Sequence, residues 1–263
     1  TLLANNVRVY GNPDAPPMVF AHGFGCDQGM WRFVAPAFEA THRVILFDHM
    51  GFGLSDLSGY QPERYETLDG YVDDVLRIFE ELALEDVIFV GHSVSSMIGA
   101  VAARRSPSHF AKLVMIGPSP RYVDDPATGY EGGFSAQDIG ELLEAVNSNY
   151  HGWAVESAPA IMGNPEQPSL SDELAETFCR ASPDIALRFA KATFLGDNRA
   201  DLPLVPVPTL VLQCANDLIA PEAVGRYVAA AVPRSQFQQL DASGHCPNLS
   251  APAETIAAIK AFV

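Results

Sequence analysis

The segment Val90-Gly91-His92-Ser93-Val94-Ser95 follows a short apolar run and precedes Met97-Ile98-Gly99-Ala100-Val101-Ala102-Ala103, a stretch of small and apolar residues. This context suits a nucleophile elbow. A tight strand-to-helix turn needs small neighbours, and it lifts a serine hydroxyl above the sheet edge and onto a helix N-terminus. The common pattern is Gly-x-Ser-x-Gly, and Ser95 stands here in place of the second glycine. An ordinary turn is the plain alternative. A serine hydroxyl attacks a carbonyl only when a base takes its proton, and the base must be held by a carboxylate. Asp217, in Cys214-Ala215-Asn216-Asp217, and His245, in Ala242-Ser243-Gly244-His245-Cys246, each follow a strand-like run. The order Ser93, Asp217, His245 thus places three candidate catalytic residues at strand C-terminal ends, where open α/β sheets carry their sites. Asp217 could otherwise cap a helix ahead of Pro221, and His245 could be a surface loop residue.

Acyl transfer also needs donors for the developing oxyanion. Ala21-His22-Gly23-Phe24-Gly25 follows the first apolar run, so the backbone N–H of Phe24, with that of Val94 after the nucleophile, is the expected oxyanion hole. His22 and His92 are expected to be scaffolding rather than bases, since one base suffices. Asp48-His49-Met50-Gly51-Phe52-Gly53-Leu54-Ser55-Asp56 lacks both GxGxxG spacing and a lysine, so it reads as a tight surface loop and not a phosphate cradle. Cys26, Cys179, Cys214 and Cys246 show no CxxC spacing, which predicts free thiols, no zinc site and no thiol nucleophile.

These residues need a scaffold. Met18-Val19-Phe20-Ala21, Arg43-Val44-Ile45-Leu46-Phe47, Val87-Ile88-Phe89-Val90 and Lys112-Leu113-Val114-Met115-Ile116 are short apolar runs, each followed by Gly, Asp or His. An amphipathic helix is expected near Leu68 to Leu82, with Val72, Val75, Leu76, Phe79 and Leu82 on its apolar face. Strands alternating with helices imply a mostly parallel sheet covered on both faces. The β signal disappears from about Ser119 to Leu204, where helices are separated by Gly132-Gly133, Asn164-Pro165 and Ser182-Pro183. It returns with Thr209 to Gln213, a helix from about Pro221 to Ala231, a strand near Phe237 to Leu240, and a closing helix from Ala253 to Phe262. The reading is a single α/β domain over residues 1–263, with residues 119–206 as a helical cap inserted in it.

Composition narrows the function. With 263 residues, 48% hydrophobic and 18% charged, the chain can bury a large core without disulfides, and disorder is excluded. Sixteen basic against 32 acidic residues give a net charge of −16, a field that repels phosphates and argues against nucleic-acid binding. No apolar run approaches the roughly 20 residues of a membrane span. The expectation is a soluble, cytoplasmic protein, by default monomeric.

The elbow, the Phe20-Ala21-His22-Gly23-Phe24-Gly25 loop, Met115 to Tyr122, Gly132-Gly133-Phe134, Asn149-Tyr150-His151-Gly152-Trp153 and Gly244-His245-Cys246-Pro247 together resemble one subfamily of α/β-hydrolases. That subfamily includes the bacterial stress regulator RsbQ and the plant strigolactone and karrikin receptors. The resemblance covers essentially the whole chain, cap included. It implies a lid of four helices over a deep apolar pocket, lined by Phe24, Phe134, Trp153 and Phe194, with Val94, Ile219 and Cys246 near the floor. Read without the family, aromatic residues in a helical insert are more often packing than ligand contacts. Ser157 and Ala158 are small where the plant receptors carry bulkier residues, which argues against a plant-hormone ligand.

The expected function is a serine hydrolase acting on a small hydrophobic ester or lactone through an acyl-enzyme on Ser93, with no metal or organic cofactor. The resemblance also implies an alternative: a slow-turnover ligand sensor that signals through a regulatory protein partner. A carbon-carbon hydrolase acting on diketones uses the same three residue types, and a degenerate hydrolase that only binds is the blandest reading.

Overall fold

A computed structural model describes residues 1–263. Seven strands, β1 (Arg8–Gly11), β2 (Pro17–Ala21), β3 (Arg43–Leu46), β4 (Val87–His92), β5 (Phe110–Ile116), β6 (Thr209–Asn216) and β7 (Ser235–Ser243), form one sheet. Its order is β1-β3-β2-β4-β5-β6-β7. Only β1 runs antiparallel to its neighbour. The helices are α1 (Asp69–Glu81), α2 (Val94–Arg105), α3 (Ala136–Ser148), α4 (Tyr150–Met162), α5 (Pro168–Cys179), α6 (Pro183–Phe194), α7 (Glu222–Ala231), α8 (Pro247–Ser250) and α9 (Pro252–Phe262). No helix is long and apolar enough to cross a membrane.

The sheet follows from the sequence where burial is two-sided. All six residues of β4 are buried, as a central parallel strand requires, and hence it reads as a continuous apolar run. The edge strand β1 gave no such signal because all four of its residues are exposed. In α1 the buried apolar residues are Tyr71, Val72, Val75, Ile78 and Phe79, whereas the expected Leu76 and Leu82 are only half-buried at the margin of that face. Helix α2 is buried from Val94 to Ala103, its small residues letting it lie close against the sheet.

Between β5 and β6 lie α3 to α6. Pro168 and Pro183 open α5 and α6, positions where proline's fixed φ and missing donor cost nothing. The junction of α3 and α4 carries neither glycine nor proline. There Asn149 leaves helical geometry and its side chain caps Gly152 N–H at 3.0 Å. Ahead of α3 a parallel bridge, Val123↔Phe134, and an antiparallel one, Asp125↔Tyr130, add isolated β pairing where only helix was expected.

Packing, more than charge, holds these helices to the sheet. Phe189 of α6 is fully buried, with ring centroids 4.4 Å from Tyr71, 5.1 Å from Phe52 and 5.7 Å from Phe24. Truncating such a ring costs about 3 to 5 kcal/mol. The bidentate pair of Arg32 with Glu173 (2.6 and 2.7 Å) also bridges the two parts, but both side chains are over one-third exposed. Exposed pairs contribute about 1 kcal/mol or less.

Candidate active site

Ser93 occupies the turn between β4 and α2 with φ 56° and ψ −121°, a backbone region that non-glycine residues rarely enter. Such a conformation costs on the order of 1 to 3 kcal/mol and persists only where its surroundings enforce it. They do so here through Ser93 N–H to Ile116 O (2.8 Å), Ser96 N–H to Ser93 O (2.9 Å) and Ser96 Oγ to Gly91 O (3.0 Å). A Cβ on Gly91 would lie 2.5 Å from Ser95 O, so the turn closes only with glycine at that position.

Topology gathers the other two residues. Asp217 follows the last residue of β6, and His245 lies two residues past the end of β7. His245 Nε2 is 2.8 Å from Ser93 Oγ, and its Nδ1 is 2.7 Å from Asp217 Oδ2. All three side chains are buried. Asp217 Oδ1 accepts from Ile219 N–H (2.8 Å) and Ala220 N–H (3.0 Å), which leaves Oδ2 for the imidazole. The histidine loop is anchored as well: His245 N–H donates to Ile161 O of α4 (2.9 Å), and His92 Nε2 donates to His245 O (2.6 Å).

The His22-Gly23-Phe24 loop abuts the elbow so closely that a Cβ on Gly23 would lie 2.5 Å from His92 Nδ1 and 3.4 Å from Ser93 Cβ. Neither the Phe24 nor the Val94 N–H has a hydrogen-bond partner. Two free donors beside a serine can receive a developing oxyanion. The Asp48 to Asp56 loop departs from expectation in its first half. Gly53, Leu54 and Asp56 are exposed as expected, but Asp48, His49, Met50 and Phe52 are buried, and Asp48 accepts from Gln28 N–H (2.8 Å), Asn6 Nδ2 (2.7 Å) and Leu54 N–H (2.9 Å). His49 Nε2 meets Ser95 Oγ at 2.7 Å, a contact between residues 46 apart that the sequence did not signal.

Burial sets the charge state of the surrounding histidines. Desolvation lowers the pKa of His22 and His49 and brings that of His92 to about 3, from an ordinary value of 6.5. All three are neutral in the folded protein at pH 7. Below pH 6.5 the unfolded chain takes up protons that the folded chain refuses, so stability falls as pH drops from 6.5 toward 3. Each group contributes at most about 1.4 kcal/mol per pH unit in that window. Urea midpoints should therefore decline between pH 7.5 and 5, and a flat profile would contradict the neutral assignment. Burial also raises the thiol pKa of Cys26 and Cys246, which disfavours the thiolate a sulfur nucleophile needs.

Above Ser93 and His245 is a tight cavity of about 40 Å³, with 11 of 15 lining residues hydrophobic. Helices α3 to α6 supply its far wall through Leu142, Trp153, Ile161, Leu174, Phe178, Thr193 and Phe194. Of the expected lining, Phe24, Trp153, Phe194, Ile219 and Cys246 border the cavity. Phe24 is its aromatic hub, with centroids 6.1 Å from Trp153, 6.0 Å from Phe178 and 5.9 Å from Phe194. Phe134 does not border it. The Val123↔Phe134 bridge holds that half-buried ring behind Tyr122, 6.3 Å away, and Tyr122 takes the place on the wall. Val94 is buried off the cavity, and Ser157 and Ala158 do not line it either. Tyr122 lay in a run that carried the resemblance but was not named as lining, and Leu142, Ile161, Leu174, Phe178 and Thr193 were missed because no motif marks them; only the packing of the insert brings them inward. Wider surface grooves exist, one bordered by Tyr60, Ile185 and Arg188, but none reaches Ser93 or His245. No group of three or more His, Cys, Asp or Glu is arranged to hold a metal ion.

Comparison with known proteins agrees with this architecture. The profile of the family described as "Alpha/beta hydrolase family" matches residues 18–259. A probable esterase from Oryza sativa subsp. japonica is 40% identical over 250 residues, covering 95% of this chain and 92% of the plant protein. A karrikin insensitive 2 receptor from Petunia hybrida is 38% identical with the same coverage. Among solved structures, a hydrolase from Oleispira antarctica reaches a TM-score of 0.95 at 39% identity, over 99% of this chain and 95% of that one. The sheet order, the serine elbow and this end-to-end similarity converge: the chain belongs to the alpha/beta hydrolase family.

Proposed function

We propose that this hydrolase cleaves a small hydrophobic ester or lactone through an acyl-enzyme on Ser93. The observation that carries the reading is the 2.8 and 2.7 Å relay from Ser93 through His245 to Asp217 at the base of an apolar cavity. Ser93 Oγ attacks the substrate carbonyl while its proton passes to His245 Nε2. The carbonyl oxygen, now an anion, receives the Phe24 and Val94 N–H groups. Collapse breaks the ester bond, and His245 returns the proton to the leaving alkoxide; in a lactone the resulting alcohol remains attached to the acyl group. Water, deprotonated by His245, then releases the acid and restores Ser93. Residues 119–206 act as a cap that excludes bulk water and sets substrate size. Trp153 sits on that wall, half-buried and stacked at 5.9 Å on Phe178. Trp153→Ala should raise kcat/KM for longer acyl chains relative to acetyl by about tenfold, since a few methylenes in an apolar pocket are worth this much. Unchanged ratios across an acyl-length series would remove Trp153 from the pocket.

Similarity along nearly the whole chain to proteins named karrikin insensitive 2 receptors favours a second reading, in which slow hydrolysis reports ligand to a protein partner. Product release from a short-chain chromogenic ester, followed from milliseconds to minutes, separates the two. Sustained turnover supports the esterase. A stoichiometric burst followed by near-silence supports the sensor.

A further inference from the structure

Ser95 fills the place where the common elbow pattern has glycine, and its hydroxyl is fully buried with two partners. It lies 2.6 Å from His22 O and 2.7 Å from His49 Nε2. A carbonyl can only accept, so the single serine proton goes to His22 O. His49 Nε2 must then carry the proton it donates to Ser95 Oγ. The His49 backbone N–H donates to His22 Nε2 at 2.9 Å, which leaves that nitrogen unprotonated and places the ring's single proton on Nδ1, 2.8 Å from Gly23 O. Each proton in the chain Ser95, His49, His22 has one possible position.

The last bond in this chain is the consequential one. Gly23 C=O and Phe24 N–H belong to one planar peptide, so a hydrogen bond that holds the carbonyl fixes the direction of the N–H on its opposite side. We propose that Ser95, backed by His49, is a positioning residue that aims the Phe24 N–H at the oxyanion, acting through the His22 carbonyl and ring. This rests on the acyl-transfer role of Ser93. An elbow with glycine at this position has no hydroxyl to supply the link, so the substitution is a device and not a tolerated departure.

Ser95→Ala frees the His22 carbonyl and leaves the His49 Nε2–H without an acceptor. Misaiming an oxyanion donor should lower kcat for a short-chain ester by about 10- to 100-fold while KM stays within about twofold, because the donor acts only in the transition state. Affinity for butylboronic acid, which forms a tetrahedral adduct on serine, should fall by the same factor. Affinity for a non-hydrolysable ether isostere of the ester should not change. If Ser95→Ala loses stability, the double variant Ser95→Ala/His49→Phe removes the stranded donor and should recover melting temperature without recovering kcat. A kcat within about twofold of wild type in Ser95→Ala, or joint recovery of stability and kcat in the double variant, overturns the proposal. NMR of the imidazole nitrogens in the wild-type protein must also report Nδ1–H for His22 and Nε2–H for His49; the reverse tautomers overturn it too. Sustained turnover in Ser93→Ala would instead remove the acyl-transfer reading itself, a failure distinct from that of the Ser95 link.

Discussion

Replacing Ser93 with alanine is expected to lower ester turnover by at least about 10⁴-fold, since loss of the nucleophile leaves only the binding site and the oxyanion donors. Ligand affinity should survive. Ser93 Oγ is hydrogen-bonded to His245 Nε2, and that nitrogen faces a cavity where a ligand or water can replace the lost contact. Alanine also removes no elbow bond, because the turn is held by backbone groups and by Ser96. Calorimetry with an ether isostere and steady-state rates with the ester separate the two effects. Retained turnover would assign the nucleophile elsewhere, and lost affinity would make Ser93 a binding residue first.

Asp217→Asn should be nearly as damaging, for a reason specific to this loop. The N–H groups of Ile219 and Ala220 both point at Oδ1, so an asparagine keeps its oxygen there and turns its NH₂ toward His245 Nδ1. An NH₂ donor forces the imidazole proton onto Nε2, where it blocks acceptance of the Ser93 proton. Loss of about 10⁴-fold in kcat is expected with little change in folding, because every backbone bond to the side chain is kept. Asp217→Ala should lose stability as well, since it strands the part-buried amide of Ile219 and the buried amide of Ala220. Equal kcat in Asp217→Asn and wild type would mean that His245 takes its tautomer from another partner.

The elbow was legible because its requirements are local: a central strand buried on both faces, Gly91 where no Cβ fits, and a helix of small residues beginning at Val94. Asp217 and His245 were legible as the residues that follow two later strands, because parallel strands bring their C-terminal ends to one edge of the sheet. What failed was non-local. Nothing near Asp48 in sequence shows that Gln28 and Asn6 donate to it, so a loop whose first half is buried read as a surface one throughout. Phe134 was placed on the pocket wall by resemblance, but an isolated parallel bridge to Val123, without strand periodicity, sets it behind Tyr122. Ser95 was noted only as a departure from a pattern, since its partners His22 and His49 lie 73 and 46 residues away. Strand β1, exposed at every residue, left no burial pattern to read.

The central claim is a covalent acyl group on Ser93, and rapid quench with intact-protein and peptide mass spectrometry tests it directly. Wild-type protein quenched within the first turnover of a short-chain ester should gain the mass of one acyl group, on the peptide containing Ser93, and Ser93→Ala should gain none. Turnover with no adduct at any quench time, even under conditions that slow deacylation, or an adduct on another residue, would contradict the account.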